Sequence, residues 1–204
     1  FGLVAIAFML AVRRSASFAA QSGWSPTRLV FTAAVMTGIV GMFVPEILGL
    51  GIRPLTEMLN GSFDLWFLAL LLVLKVCATA LCIGFGLFGG VFSPALFVGA
   101  AAGAIGGRLL ALLGLTGASP ALAICGMAAV ASAVIGAPLS GVVIILELTM
   151  SYEFALAAML SVMVSLLISN QFFGHSFFDR QLADRGIDVT LGRGHIEMME
   201  APVA

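Results

Sequence analysis

Two stretches of the chain carry no formal charge: the residues between Lys75 and Arg108, and those between Arg108 and Glu147. Each is longer than the ~20 apolar residues one helix needs to cross a bilayer. A chain with 61% hydrophobic and 9% charged residues is also far from the roughly 25% charge of a soluble domain, and its mean hydropathy is +1.17. The chain therefore reads as an integral, multi-pass membrane protein whose lipid-bilayer segments follow one another almost end to end. A net charge of −1 offers no basic surface, so no nucleic-acid partner is expected.

Apolar runs between punctuating residues predict the helices. The first covers Phe1 to about Ala20 and ends near "QSGWSP", where Ser25 is placed to cap and Pro26 to start a second helix running to Phe43. "PEILGLGIRP" then forms an irregular link, followed by a short amphipathic piece to about Leu59 and a turn at "NGSFD". Further helices are expected from about Leu65 to Ile83, Pro94 to Leu113, Ala121 to Ile135, Leu139 to Met150 and Glu153 to Phe173. Two of these are too short to span ~30 Å of hydrocarbon unaided. Broken helices survive in a membrane only where protein or a polar cavity surrounds the break, so such breaks point to a binding site.

The most informative break is "GFGLFGGVFSP", Gly84 to Pro94. Gly89 and Gly90 are expected to supply a turn that side chains disfavour, and Pro94 suits the first turn of a helix that begins near Phe92. The N–H groups at such a start, those of Val91 and Phe92 among them, have no intrahelical partner and carry the positive end of the helix dipole. That end attracts an anion, and partial charges hold it weakly enough to let it leave. Glycines at one end of a helix also serve packing, and for Gly99, Gly103 and Gly107, at four-residue spacing, close helix contact is the preferred reading.

"GGVFSP" resembles the G-x-F-x-P signature of the CLC family of chloride channels and proton/chloride antiporters, and "GAPLSGVVIILELTMSY" resembles a second segment of that family in the right order and separation. The resemblance extends from Phe1 to about Arg193. It implies an all-α membrane protein: a bundle of tilted, partly broken transmembrane and re-entrant helices forming one half of an inverted-repeat CLC fold. Residues 1–178 would be the second half of the membrane domain, and 179–204 a cytoplasmic helix and tail of the kind that leads into CBS domains.

By position, the resemblance assigns the anion site to Gly89, Gly90, Val91, Phe92 and Pro94, with Phe178 standing where the family has a tyrosine hydroxyl. It further implies chloride as transported substrate, no cofactor, a homodimer with one pore per subunit, and, as localisation, a bacterial inner membrane. The family's gating-glutamate motif, G-[KR]-E-G-P, does not occur in this sequence. With a chain that opens directly on Phe1 without a charged leader, a missing N-terminal half of the same protein is expected, and the chain is not expected to transport alone. Fluoride or another halide is an alternative cargo, and an intramembrane hydrolase using Ser93 an alternative activity.

Other polar residues are weighed individually. Glu147 in "VVIILELTM" reads as structural, close to a helix end, and Lys75 in "LLVLKVCA" is expected to snorkel or to pair with an acid, Glu147 being the candidate, with a role in an ion pathway as the alternative. His175 and His195 lie in the polar tail without ligand spacing around them, so no metal site is expected. Cys77, Cys82 and Cys125 form no C-x-x-C and read as small packing residues.

Overall fold

The computed structural model describes residues 1–87, 89–114, 119–174 and 177. It is helical: α1 (Gly2–Gln21), α2 (Pro26–Phe43), a 3-10 turn (Pro45–Ile47), α3 (Ile52–Leu59), α4 (Leu65–Gly84), α5 (Phe92–Leu112), α6 (Ser119–Ile135), α7 (Pro138–Thr149) and α8 (Tyr152–Phe172), with no strand among the described residues. The expected helices are all present, with ends moved by one or two residues. Proline opens α2 and α7, where its missing N–H would be unpaired in any case. Ser25 occupies the cap position of α2, but its hydroxyl makes no capping bond.

Helices α1, α2, α4, α5 and α8 are long and apolar enough to cross a membrane. The shorter α6 survives because protein surrounds it: every residue from Ala123 to Val134 is buried. Its nearest neighbour is α5, which runs antiparallel to it. A Cβ on Gly99 would strike the Gly126 carbonyl, one on Gly103 the Leu122 carbonyl, and one on Gly107 the backbone of Ser119. The three glycines thus line a seam where two backbones touch, as their spacing predicts. Lipid is as apolar as a side chain, so contact of this kind, and not water exclusion, holds helices together in a bilayer.

α5 is the hub of the bundle. Phe97, Ala100, Ala101 and Ala104 pack with Leu68 and Leu71 of α4, Met127 of α6 and Val162 of α8. Its other face, through Val91, Ala95 and Val98, packs with Phe8 and Val12 of α1 and Val130 and Val134 of α6. By contrast α2 buries only Leu29, Ala33 and Gly41.

Candidate anion-binding site

Helix α4 ends in a Schellman arrangement. Gly86 takes φ 88°, Leu87 N–H donates to the Cys82 carbonyl at 2.9 Å, and Gly86 N–H donates to the Ile83 carbonyl at 3.1 Å. The carbonyl end of α4 is therefore satisfied before the chain leaves it. The left-handed residue is Gly86 and not Gly90, which corrects the expectation from sequence. A side chain on Gly89 or Gly90 would meet nothing within 4 Å. What distinguishes this glycine pair is its place, since both line a cleft opposite Lys75.

α5 begins at Phe92, with Val91 as its cap residue and no side-chain capping bond. The first helical hydrogen bond runs from Ala95 N–H to the Val91 carbonyl, 3.1 Å. The N–H groups of Val91, Phe92 and Ser93 come before it and find no acceptor among the described residues, while Pro94 has no N–H to offer. Three successive amides thus carry the positive end of the dipole, equivalent to about half an elementary charge. The Val91 side chain is buried in a cluster with residues of α1 and α6, while Gly89 and Gly90 are exposed and Phe92, Ser93 and Pro94 half-buried.

A cleft of about 190 Å³ is lined by Gly89, Gly90 and Pro94, which flank the three amides in sequence, and by Lys75 and Thr79 of α4 and the segment Ile47–Gly49. That segment is the second irregular stretch of the fold, between the end of α2 and the start of α3. Lys75 Nζ donates to the carbonyls of Ile47 at 2.7 Å and Gly49 at 3.0 Å. The Ser93 hydroxyl donates to the Leu50 carbonyl, also at 3.0 Å. Gly51 has φ 70°, and a Cβ there would strike the Phe97 ring. Non-helical backbone is tolerated inside the bundle because its carbonyls have donors.

Lys75 is therefore not paired with Glu147. Glu147 lies in the last turn of α7, exposed, and its side chain makes no hydrogen bond or ion pair among the described residues. Sequence reasoning missed the true partners of Lys75, since a backbone carbonyl has no residue signature. The available signal was the glycine-rich link itself, whose carbonyls need donors. Ser93 is engaged by a carbonyl and has no base beside it in its recorded bonding. Of the site residues read from sequence, Gly89, Gly90 and Pro94 line the cleft, and Val91 and Phe92 present free amides next to it. Phe178, His175 and His195 lie outside the described residues. No cluster of three or more His, Cys, Asp or Glu side chains that could hold a metal occurs among the described residues.

Among the described residues the arrangement offers hydrogen-bond donors, with the Ser93 hydroxyl and the Lys75 ammonium already engaged by backbone carbonyls. The family described as voltage gated chloride channel matches residues 1–170. The chain belongs to the voltage-gated chloride channel family.

Similar members of this family come from distant organisms. A ClcB-like protein of Ralstonia nicotianae is 35% identical over 180 residues, covering 84% of this chain and 42% of the relative. The H(+)/Cl(−) exchange transporter ClcA of Vibrio campbellii is 29% identical over 188 residues, covering 89% and 40%. Chloride channel protein CLC-f of Arabidopsis thaliana is 37% identical over 136 residues, covering 60% and 17%. The fold is similar to the crystal structure of a slow cyanobacterial Cl−/H+ antiporter, with a TM-score of 0.77, 22% identity, and coverage of 95% of this chain and 45% of that one. The chain thus spans about two fifths of the length of the bacterial relatives it matches.

Proposed function

We propose that this chain is the second of two inverted halves of an anion-transporting membrane domain, with the start of α5 forming one side of a chloride site. The observation that carries this reading is the set of unpaired N–H groups at Val91, Phe92 and Ser93, flanked in sequence by Gly90 and Pro94, which line an open cleft. The first N–H groups of a helix have no partner within it. A monovalent anion is the partner that three convergent amides and a helix dipole suit best. Because the donors carry partial charges, they offset part of the ion's dehydration without trapping it.

In this reading Gly89 and Gly90 leave room for the ion, Pro94 removes a fourth donor, and Phe178, the last residue before the tail that begins at 179, stands where the family has a tyrosine hydroxyl. The protein works as a homodimer in a bacterial inner membrane, with α1, α7 and α8 at the subunit interface and chloride, not a cofactor, as the bound species. Family members are named both as channels and as exchangers. The test is chloride efflux from liposomes containing the full-length protein, with external pH recorded in parallel. Chloride efflux supports the proposal, and coupled proton movement assigns exchange. Tight fluoride binding with negligible chloride binding overturns the choice of ion. Absence of all anion flux, with a hydrolytic activity abolished by Ser93→Ala, overturns the class.

A further inference from the structure

Lys75 lies midway along α4 and is only 3% exposed. Its ammonium rests on the carbonyls of Ile47 and Gly49 and over the Phe97 ring, 4.9 Å from the centroid. These partners all present electron density to a cation, and none of them carries a charge. No carboxylate pairs with Lys75 among the described residues, and none lines the cleft it shares with Gly89 and Gly90. One helical turn further along α4, Thr79 is 8% exposed and lines the same cleft. Its hydroxyl has no hydrogen-bond partner among the described residues. A buried cation without a counter-charge is costly, and dipoles offset only part of that cost.

We propose that the counter-charge Lys75 lacks is the transported anion itself. Lys75 is then a positioning residue for the amide site, acting across the cleft through its field, and its two carbonyl bonds fix where that field originates. The inference rests on the chloride reading given above. Neutralising a unit charge roughly 10 Å from a bound ion, at an effective dielectric of about 20, corresponds to roughly tenfold in affinity.

The experiment is calorimetric titration of chloride into the full-length protein in detergent, with melting temperature recorded for each variant. Lys75→Gln should weaken chloride binding roughly tenfold, and Lys75→Arg, which keeps the charge, should stay within about threefold of the wild type. A Lys75→Gln protein that melts earlier but binds chloride unchanged shows a purely structural lysine and overturns the inference. Should Lys75→Gln not fold, Thr79→Asp decides, because it places a carboxylate within reach of Lys75 at i, i+4 while sparing the carbonyl bonds. Thr79→Asp must then weaken chloride binding well beyond Thr79→Asn, and equal affinities overturn the inference. Wild-type protein that gives no chloride signal rejects the chloride reading itself; wild-type binding with indifferent variants rejects only the role of Lys75.

Discussion

The fold breaks its helices in two neighbouring places, and the breaks satisfy their carbonyls by different means. Between α2 and α3 the exposed backbone groups are carbonyls, and those of Ile47, Gly49 and Leu50 are taken by Lys75 and Ser93. Between α4 and α5 the carbonyl side is closed by the Gly86 turn, while the amides of Val91, Phe92 and Ser93 are left open. The carbonyls of the first break are saturated by side chains and those of the second by its own turn, and both leave the amides that start the next helix open, Ile52 and Arg53 in one and Val91, Phe92 and Ser93 in the other. A broken helix in a membrane, or an open helix start, is thus not itself a site. What sets the second break apart is that Gly90 and Pro94, on either side of its open amides, line a cleft with Lys75.

The contrast can be broken most severely at the saturated side. Lys75→Met leaves the buried Ile47 carbonyl and the part-buried Gly49 carbonyl without their donor, the buried one alone costing roughly 1–3 kcal/mol, and the full-length protein should show the largest drop in melting temperature of this series. Next comes the seam that holds the open amides in place. Gly103→Val drives a branched side chain against the Leu122 carbonyl, an overpacking worth about 3 kcal/mol, and should lower both melting temperature and chloride flux. Ser93→Ala removes the single bond to Leu50, so a loss of about 1 kcal/mol with transport retained is expected. A stability change at the wild-type level with all transport gone would mean the hydroxyl serves chemistry and not the link.

The smallest change in stability belongs to the open side. Gly90→Val enters space where a Cβ meets nothing within 4 Å, so stability should stay within about 0.5 kcal/mol, yet the added bulk should obstruct anion flux. If Gly90→Val instead melts early and the surviving protein conducts normally, the two breaks are alike and the distinction fails.

The helices were legible because few residues can punctuate so apolar a chain. Pro26 and Pro138 open their helices, and Gly86, Gly114 and Gly136, all with positive φ, follow others. The amide end of α5 was legible for the same reason: proline and glycine report backbone geometry directly. The partners of Lys75 and Ser93 were not, because a carbonyl acceptor is present at every position and no pattern singles out Ile47, Gly49 or Leu50. The pairing of Lys75 with Glu147 failed where charge complementarity was used in place of distance. The left-handed turn expected at Gly90 sits at Gly86 instead, and the space beside Gly90 is a property of the assembled bundle that no residue pattern reports.

The all-round burial of α6 bears on how the protein is made. From Ala123 to Val134 it has no side left for acyl chains, and at 17 residues it is short for a solitary crossing. Its only stable environment is the groove that α5 and its neighbours supply. Entry into the membrane must therefore occur as a hairpin with α5, the glycine seam zipping as the pair inserts, and a ribosome-bound chain stopped before α6 would leave α5 with its most intimate surface turned to lipid.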